Sequence, residues 1–317
     1  MNINLSKSNK KLICVTIGDI KGIGIHLLLE EFKKGKINNF ILLNNKNIFY
    51  KYIKFPKKKI NILNKENFNN YNKKKLNIYS FETKDNNTNT VDSLNYAYKL
   101  TKKLFFIGIL TLPLNKYKIK KYINKNFIDQ TSFFSKKEDQ KYSNMIFYNK
   151  NKFFIPLTIH IELKNVYKKF HNKNFMVKKI QNLYLTLLND FKIKKPKLVL
   201  AGINPHAGEN GTISSDDERY LSPIINELKK MKIFVNGPIS GDSIINNDNL
   251  KNYDAFIFTY HDQALIPFKI LSNYEGVNFT SNLDIIRVSP SHGTAENLIG
   301  SNKVISKGIV NCFNLIR

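Results

Sequence analysis

Three histidines stand in short motifs beside turn residues. His160 lies in Leu157-Thr158-Ile159-His160-Ile161, His206 in Asn204-Pro205-His206-Ala207-Gly208-Glu209, and His261 in Tyr260-His261-Asp262-Gln263. The chain has only 6 histidines, so three placed at the ends of apolar runs point to a divalent ion. Neutral imidazole is the commonest protein ligand for a catalytic metal, and three ligands leave a position open for substrate. A single histidine in such a turn is more often a hydrogen-bonding loop residue; the other two shift the balance. Asp262 follows His261 directly, where it can orient the ring or simply cap the next helix.

Other groups with chemical potential follow His261. Lys269, Asn278 and Arg287 recur at intervals of nine positions. Arg287 is one of only three arginines, beside Arg219 and Arg317, in a chain with 51 basic residues. An arginine kept where lysine is the rule suggests a need for the planar fork that grips carboxylate or phosphate, though a surface ion pair is the plainer reading. Ser291-His292-Gly293-Thr294-Ala295-Glu296-Asn297 has the look of a nucleotide-contacting loop. Thr111-Leu112-Pro113-Leu114-Asn115-Lys116 closes an apolar run, where open α/β sheets place ligands. Gly18-Asp19-Ile20-Lys21-Gly22-Ile23-Gly24 lacks the spacing of a dinucleotide fingerprint, and a strand-to-helix turn explains it equally well.

These motifs need a scaffold. Apolar runs at Leu12–Ile17, Phe40–Leu43, Ile60–Leu63, Phe105–Leu110, Phe153–Ile159, Leu198–Ile203, Ile233–Val235 and Ala255–Thr259 predict strands. Segments near 23–34, 91–103, 163–168, 175–189, 217–230 and 243–250 have helical spacing. The alternation predicts an α/β protein with a largely parallel sheet. The Asn- and Lys-rich stretch 64–90 is expected to be a surface excursion, and 117–150 to carry a crossing between domains.

At 317 residues, 42% hydrophobic, the chain can build one large core or two ordinary ones. No apolar run approaches the roughly 20 residues that span a bilayer, so no membrane partner is expected. The polar start, Met1 to Lys11, does not resemble a signal peptide, and two unpatterned cysteines, Cys14 and Cys312, fit a reducing cytoplasm. The net charge of +27 raises a nucleic-acid reading. It is carried almost wholly by lysine scattered among asparagine and isoleucine, which fits compositional drift better than a selected binding face. No specific nucleic-acid partner is expected.

Taken in order, these motifs resemble those of the 4-hydroxythreonine-4-phosphate dehydrogenase family of vitamin B6 biosynthesis. The resemblance runs from Gly18 to about Gly300. It is strongest after Leu200, where Asn-Pro-His-Ala-Gly-Glu, Gly237-Pro238 with Asp242, Tyr-His-Asp-Gln, Gly276-Val277-Asn278-Phe279-Thr280 and His-Gly-Thr-Ala follow one another. It implies an isocitrate/isopropylmalate dehydrogenase-like fold of two α/β/α lobes with a cleft between them. The first lobe is placed at 1–135 plus 272–317 with the cofactor loop, and the second at 136–271 with the metal ligands and dimer interface. The resemblance further implies a homodimer with shared active sites and one divalent ion (Zn, Mg or Co) on His160, His206 and His261. Substrate contacts would come from Gln130, Thr131, Lys269, Asn278 and Arg287, catalytic roles from Asp242 and Lys269, and NAD contacts from His292, Gly293, Thr294, Ala295 and Asn297.

The implied chemistry is NAD-dependent oxidation of a small phosphorylated hydroxy acid followed by loss of carbon dioxide, giving 3-amino-2-oxopropyl phosphate. An ion bound to the hydroxyl lowers its pKa for hydride loss and then polarises the new ketone. The chain departs from the family pattern in places. Gln130 stands where a histidine is usual, Ile20 and Lys21 where Pro and Ala are favoured, and Ile25-His26 where Pro-Glu is usual. Asn297 replaces an acidic residue, which leaves NADP open as the alternative cofactor. Two competing readings are the same chemistry on a phosphorylated sugar acid such as threonate or erythronate phosphate, and a decayed relative kept as a basic binding protein.

Overall fold

Short, fully buried apolar segments such as Ile13–Thr16 and Phe40–Leu43 form the strands nearest the core, as expected where helices cover both faces of a parallel sheet. The computed structural model describes residues 12–103, 106–300 and 306–317. The polar start over Met1 to Lys11, and Phe105 of the strand expected over Phe105–Leu110, lie outside the described residues.

In chain order the elements begin with β1 (Ile13–Thr16), α1 (Ile23–Lys33), β2 (Phe40–Leu43), α2 (Lys46–Tyr52), β3 (Ile60–Leu63), β4 (Leu76–Tyr79), α3 (Asn86–Lys102), β5 (Gly108–Thr111), α4 (Lys116–Tyr122) and α5 (Gln130–Lys137). Next come β6 (Met145–Asn149), β7 (Lys152–Thr158), α6 (Val166–Phe170), α7 (Lys173–Asn189), β8 (Leu198–Ala201), α8 (Ser222–Lys230), β9 (Val235–Ile239), α9 (Asn247–Asn252), β10 (Ala255–Tyr260), α10 (His261–Ser272) and β11 (Val277–Thr280). The chain closes with β12 (Arg287–Pro290) and α11 (Lys307–Ile316).

Two compact units divide these elements: Met1–Phe134 with Asp284–Arg317, and Ser135–Leu283. Unit 1 orders its strands β3-β4-β2-β1-β5-β12, with every pair parallel. Its closing helix α11 buries Ile309, Cys312, Phe313 and Ile316, and Phe313 meets Phe40 edge-on at 5.4 Å. Unit 2 orders its strands β11-β6-β7-β10-β8-β9. There β6 runs antiparallel to both neighbours, while β7, β10, β8 and β9 are parallel. The sequence reading placed 272–283 with the first lobe; the ladder of β11 with β6 runs within unit 2. The core of unit 2 is aromatic, with Phe154, Phe256, Phe258 and Phe268 buried together.

The asparagine-rich composition has a structural use. Asn45, Asn115, Asn172 and Asn246 each cap a helix by accepting a backbone N–H, and Asp85 does the same for α3. The stretch 64–90 is not only a surface excursion. It contains β4, all four residues of which are buried, and Asn77 within it fills its amide with the carbonyls of Asn72 and Lys75. The stretch 117–150 likewise holds most of α4, all of α5 and β6. The predicted helix near 163–168 is a single tight turn at Leu163–Asn165 followed by α6.

Candidate active site

The register of unit 2 brings two of the three histidines together. Tyr260 of β10 pairs with Thr158 of the parallel β7, so His160 and His261 leave adjacent strands at the same end. Their ring centroids are 5.5 Å apart, with planes inclined at 40°. Imidazoles bound to one tetrahedral ion through bonds of ~2 Å have centroids about 5 Å apart, so this pair has the spacing an ion requires. His261 Nδ1 lies 2.7 Å from Asp262 Oδ1. A carboxylate at that distance fixes the tautomer and frees Nε2 for a ligand. The cap of α10 is Tyr260, not Asp262.

His206 is placed differently. Residues His206 to Asn210 all have left-handed backbone, with φ of 51, 51, 83, 45 and 54°. Such a run costs of order 1 kcal/mol per non-glycine residue and persists only where the surroundings hold it. Gly208 is obligatory there, since a Cβ would stand 2.2 Å from the Ser214 carbonyl. Asp217 anchors the approach, accepting from the backbone N–H of Ile203 at 2.6 Å and from the Asn204 side chain at 2.8 Å. His206 and Asp242 line a cavity of about 660 Å³. His160 and His261 line another of about 240 Å³, and Tyr260 is common to both. The Ser240 hydroxyl, helped by His206, holds the exposed Asp242 carboxyl below the usual carboxylate range. Among the described residues no group of three or more His, Cys, Asp or Glu gathers to hold an ion within one chain. The chain therefore assembles His160 with His261, and His206 with Asp242.

Of the substrate candidates in unit 2, Lys269 is exposed on α10. Asn278 on β11 is half-buried, and its Oδ1 is buried without a hydrogen-bond partner, an acceptor that a ligand donor would satisfy. In unit 1, Arg287 is not the surface ion pair of the plainer reading. It is 1% exposed. Its Nε donates to Thr111 Oγ1 at 3.0 Å, Nη1 to Thr131 Oγ1 at 3.2 Å and Nη2 to Gln130 Oε1 at 2.7 Å. Burial pulls its pKa down to about 10, against the opposing pull of Asp129. Thr111, Gln130, Thr131 and Arg287 thus form one buried network, with the side chain of Gln130 turned to the arginine.

The loop from His292 to Asn297, also in unit 1, rests on the glycine-rich turn after β1. The Ile23 N–H donates to the Thr294 carbonyl at 2.8 Å. A Cβ on Gly22 would stand 3.2 Å from that oxygen, so glycine is what lets the loop sit so close. His292 Nδ1 lies 2.9 Å from the Gly293 carbonyl, while Nε2 is buried with no partner. Burial holds the His292 imidazole below its usual pKa, with the Gly293 contact opposing. Nε2 is therefore a neutral acceptor. That acceptor suits the amino group of an adenine, so the residues present fit a dinucleotide.

Comparison with known proteins follows the same residues. The family model described as pyridoxal phosphate biosynthetic protein PdxA matches residues 36–316. The chain belongs to the PdxA family. It is 31% identical over 317 residues to a 4-hydroxythreonine-4-phosphate dehydrogenase of Wigglesworthia glossinidia brevipalpis, covering 96% of this chain and 95% of the relative. A namesake from Aquifex aeolicus (strain VF5) is 38% identical over 209 residues, which span 66% of this chain and 64% of that protein. The crystal structure of 4-hydroxythreonine-4-phosphate dehydrogenase from Klebsiella pneumoniae shares the fold, with a TM-score of 0.80 over 98% of both chains at 23% identity.

Within this PdxA chain, some residues that shape the site have no motif of their own. Asp217, which fixes the approach to His206, reads in sequence as an ordinary acid early in a helix. Gln263 belongs to the Tyr-His-Asp-Gln motif but works as a clamp. Its Oε1 accepts from the Thr259 N–H and its Nε2 donates to the Gly202 carbonyl, each at 2.9 Å, tying the ends of β10 and β8. Lys118, which donates to Asp19 and to Glu296 of the 291–297 motif, has no motif of its own.

Proposed function

We propose that this PdxA-family chain oxidises and decarboxylates 4-phosphooxy-threonine to 3-amino-2-oxopropyl phosphate, a step toward pyridoxal phosphate. Hydride passes to NAD, with NADP as the alternative, and carbon dioxide leaves the resulting β-keto acid. The observation that carries this reading is the approach of His160 and His261 to 5.5 Å at the ends of adjacent parallel strands, with Asp262 behind one of them.

His160 and His261 would hold one divalent ion (Zn, Mg or Co), and His206 from a second copy of the chain would complete the set in a homodimer. When bound, that ion would supply Lewis acidity and the dinucleotide would serve as the hydride acceptor. The chain's own residues do the rest. Arg287, with Thr131 and Gln130, offers donors and a positive charge for the anionic end of the substrate. The orphaned Oδ1 of Asn278 takes a hydrogen bond from the substrate's amino group or hydroxyl. Of Lys269 and Asp242, one would take the hydroxyl proton as the hydride leaves and the other would return a proton to the carbon left by decarboxylation. His292, Gly293, Thr294, Ala295 and Asn297 receive the adenosine half of the cofactor.

The test is a turnover assay of the purified protein with NAD, each candidate ion, and either 4-phosphooxy-threonine or a phosphorylated sugar acid. Metal-dependent NADH formation with the amino acid substrate is expected. NADH formed only with threonate or erythronate phosphate would move the assignment to the sugar acid. Metal-free protein that cannot be reloaded and never reduces NAD would point to a decayed relative.

A further inference from the structure

Two motifs of unit 1 meet at a residue outside every role assigned above. We propose that Lys118 is a positioning residue for the dinucleotide loop, locking His292–Asn297 onto the glycine-rich turn so that the two form one platform. This rests on the dinucleotide reading of that loop.

The ammonium of Lys118 donates to Asp19 Oδ2 and to Glu296 Oε1, each at 3.1 Å. Asp19 is no ordinary surface partner: its side chain is 4% exposed. Its Oδ1 is taken by the Lys21 N–H at 3.1 Å, which aims Oδ2 at the lysine. Lys118 itself is held in the first turn of α4, where Asn115 Oδ1 accepts its backbone N–H at 3.1 Å. The charge bridge therefore links a fixed carboxylate, a helix-anchored ammonium and a residue of the loop.

The loop has little regular structure of its own. Ala295 is left-handed at φ 38°, Glu296–Leu298 is a single tight turn, and Gly293, Glu296 and Asn297 are exposed. Among the contacts that order it are the Ile23 N–H to the Thr294 carbonyl and the Lys118 bridge to Glu296. The turn beneath is rigid. Gly18 has φ +64°, a Cβ on it would stand 2.4 Å from the Pro113 carbonyl, and that carbonyl accepts the Asp19 N–H at 2.8 Å. A loop ordered before binding loses less entropy when the ligand arrives, so cutting a tether should weaken cofactor binding.

Lys118→Met, Glu296→Gln, the double variant and Lys118→Arg test this in the intact protein. The readouts are KM for NAD, KM for substrate, kcat, and hydrogen exchange of the 292–298 amides. Lys118→Met and Glu296→Gln should each raise KM for NAD roughly three- to tenfold and speed loop exchange, leaving KM for substrate unchanged. The double variant should be no worse than Lys118→Met, and Lys118→Arg should recover most of the affinity. Additive single effects, or unaltered loop exchange in Glu296→Gln, overturn the proposal. Faster exchange in a protein that ignores NAD supports the tether while overturning the dinucleotide reading.

Discussion

Arg287 Nη2 and Gln130 Oε1 stand 2.7 Å apart in the interior of unit 1. The other end of the same amide donates from Nε2 to the Leu112 carbonyl at 3.0 Å, so a flip of the amide would break both bonds. Gln130 occupies the position where the resemblance led one to expect histidine. A neutral imidazole accepts through one nitrogen only, and an imidazolium accepts nothing and repels the guanidinium. The glutamine offers its acceptor at every pH.

Gln130→His should therefore bring no gain in turnover. It should lower stability by about 1–3 kcal/mol through an unmet donor on Arg287. The new imidazole, beside a buried cation, would have its folded pKa below the unfolded value near 6.5. The unfolded chain then binds more protons at acid pH, and the deficit grows as pH falls below about 6.5. Urea midpoints at pH 6 and pH 8 check this; a variant more stable at pH 6 contradicts it.

Lys179 gives a second handle on pH, in the alkaline range. It is buried in α7, and its Nζ donates to the Leu157 carbonyl at 2.9 Å. Burial draws its pKa from 10.5 to about 8. Between those values the unfolded lysine still holds a proton that the folded one has released, so its contribution to stability rises with pH across that window. A shift of this size is worth about 3 kcal/mol as an order of magnitude. Lys179→Met should match or exceed the parent's stability at pH 7 and lose that advantage by pH 10. A constant difference over the whole range would show that Lys179 does not titrate there.

Asp262→Asn should keep the fold, because Asp262 is exposed and His261 only partly buried. Removing the charge that orients the His261 ring should weaken metal binding by about 10- to 100-fold. His206→Ala should abolish turnover and most metal retention. Titration with Zn or Co, followed by metal analysis after gel filtration, distinguishes the two. Full metal occupancy in His206→Ala would remove that residue from the ligand set.

Cofactor affinity should be flat at neutral pH and fall only on the acid side of the ordinary imidazole range. His292 must be neutral for Nε2 to accept, and burial moves its protonation to the acid side of the ordinary imidazole range. His292→Gln, which also accepts but does not titrate there, should flatten the profile. Calorimetric titration with NAD from pH 5.5 to 8 reads the difference, and identical profiles for parent and variant would count against the role.

The parallel strands were legible because strands covered on both faces read as unbroken apolar runs, as in Phe40–Leu43 and Ala255–Tyr260. Strand β12 was not: Arg287, Ser289 and Pro290 break the run, although all four of its residues are buried. Helix α10 hid behind Pro267 and behind Ile266 and Ile270, which are 62% and 75% exposed and spoil the amphipathic period. The histidine motifs stood out because each is local. The partnerships that organise their surroundings are not: Lys118 and Glu296 are 178 positions apart, and Arg287 reaches back 176 to Thr111. Long-range pairings of single polar residues leave no periodic trace.

The discontinuity of unit 1 has a consequence for how the molecule is made. Unit 2 is one uninterrupted stretch, whereas unit 1 draws β12 and α11 from beyond it. On the ribosome, β5 therefore waits for its neighbour until all of unit 2 has emerged, and Thr111 and Gln130 wait for Arg287. During that interval the apolar edge of β5 is bare, so the first half of the nascent chain is the part that most needs a chaperone.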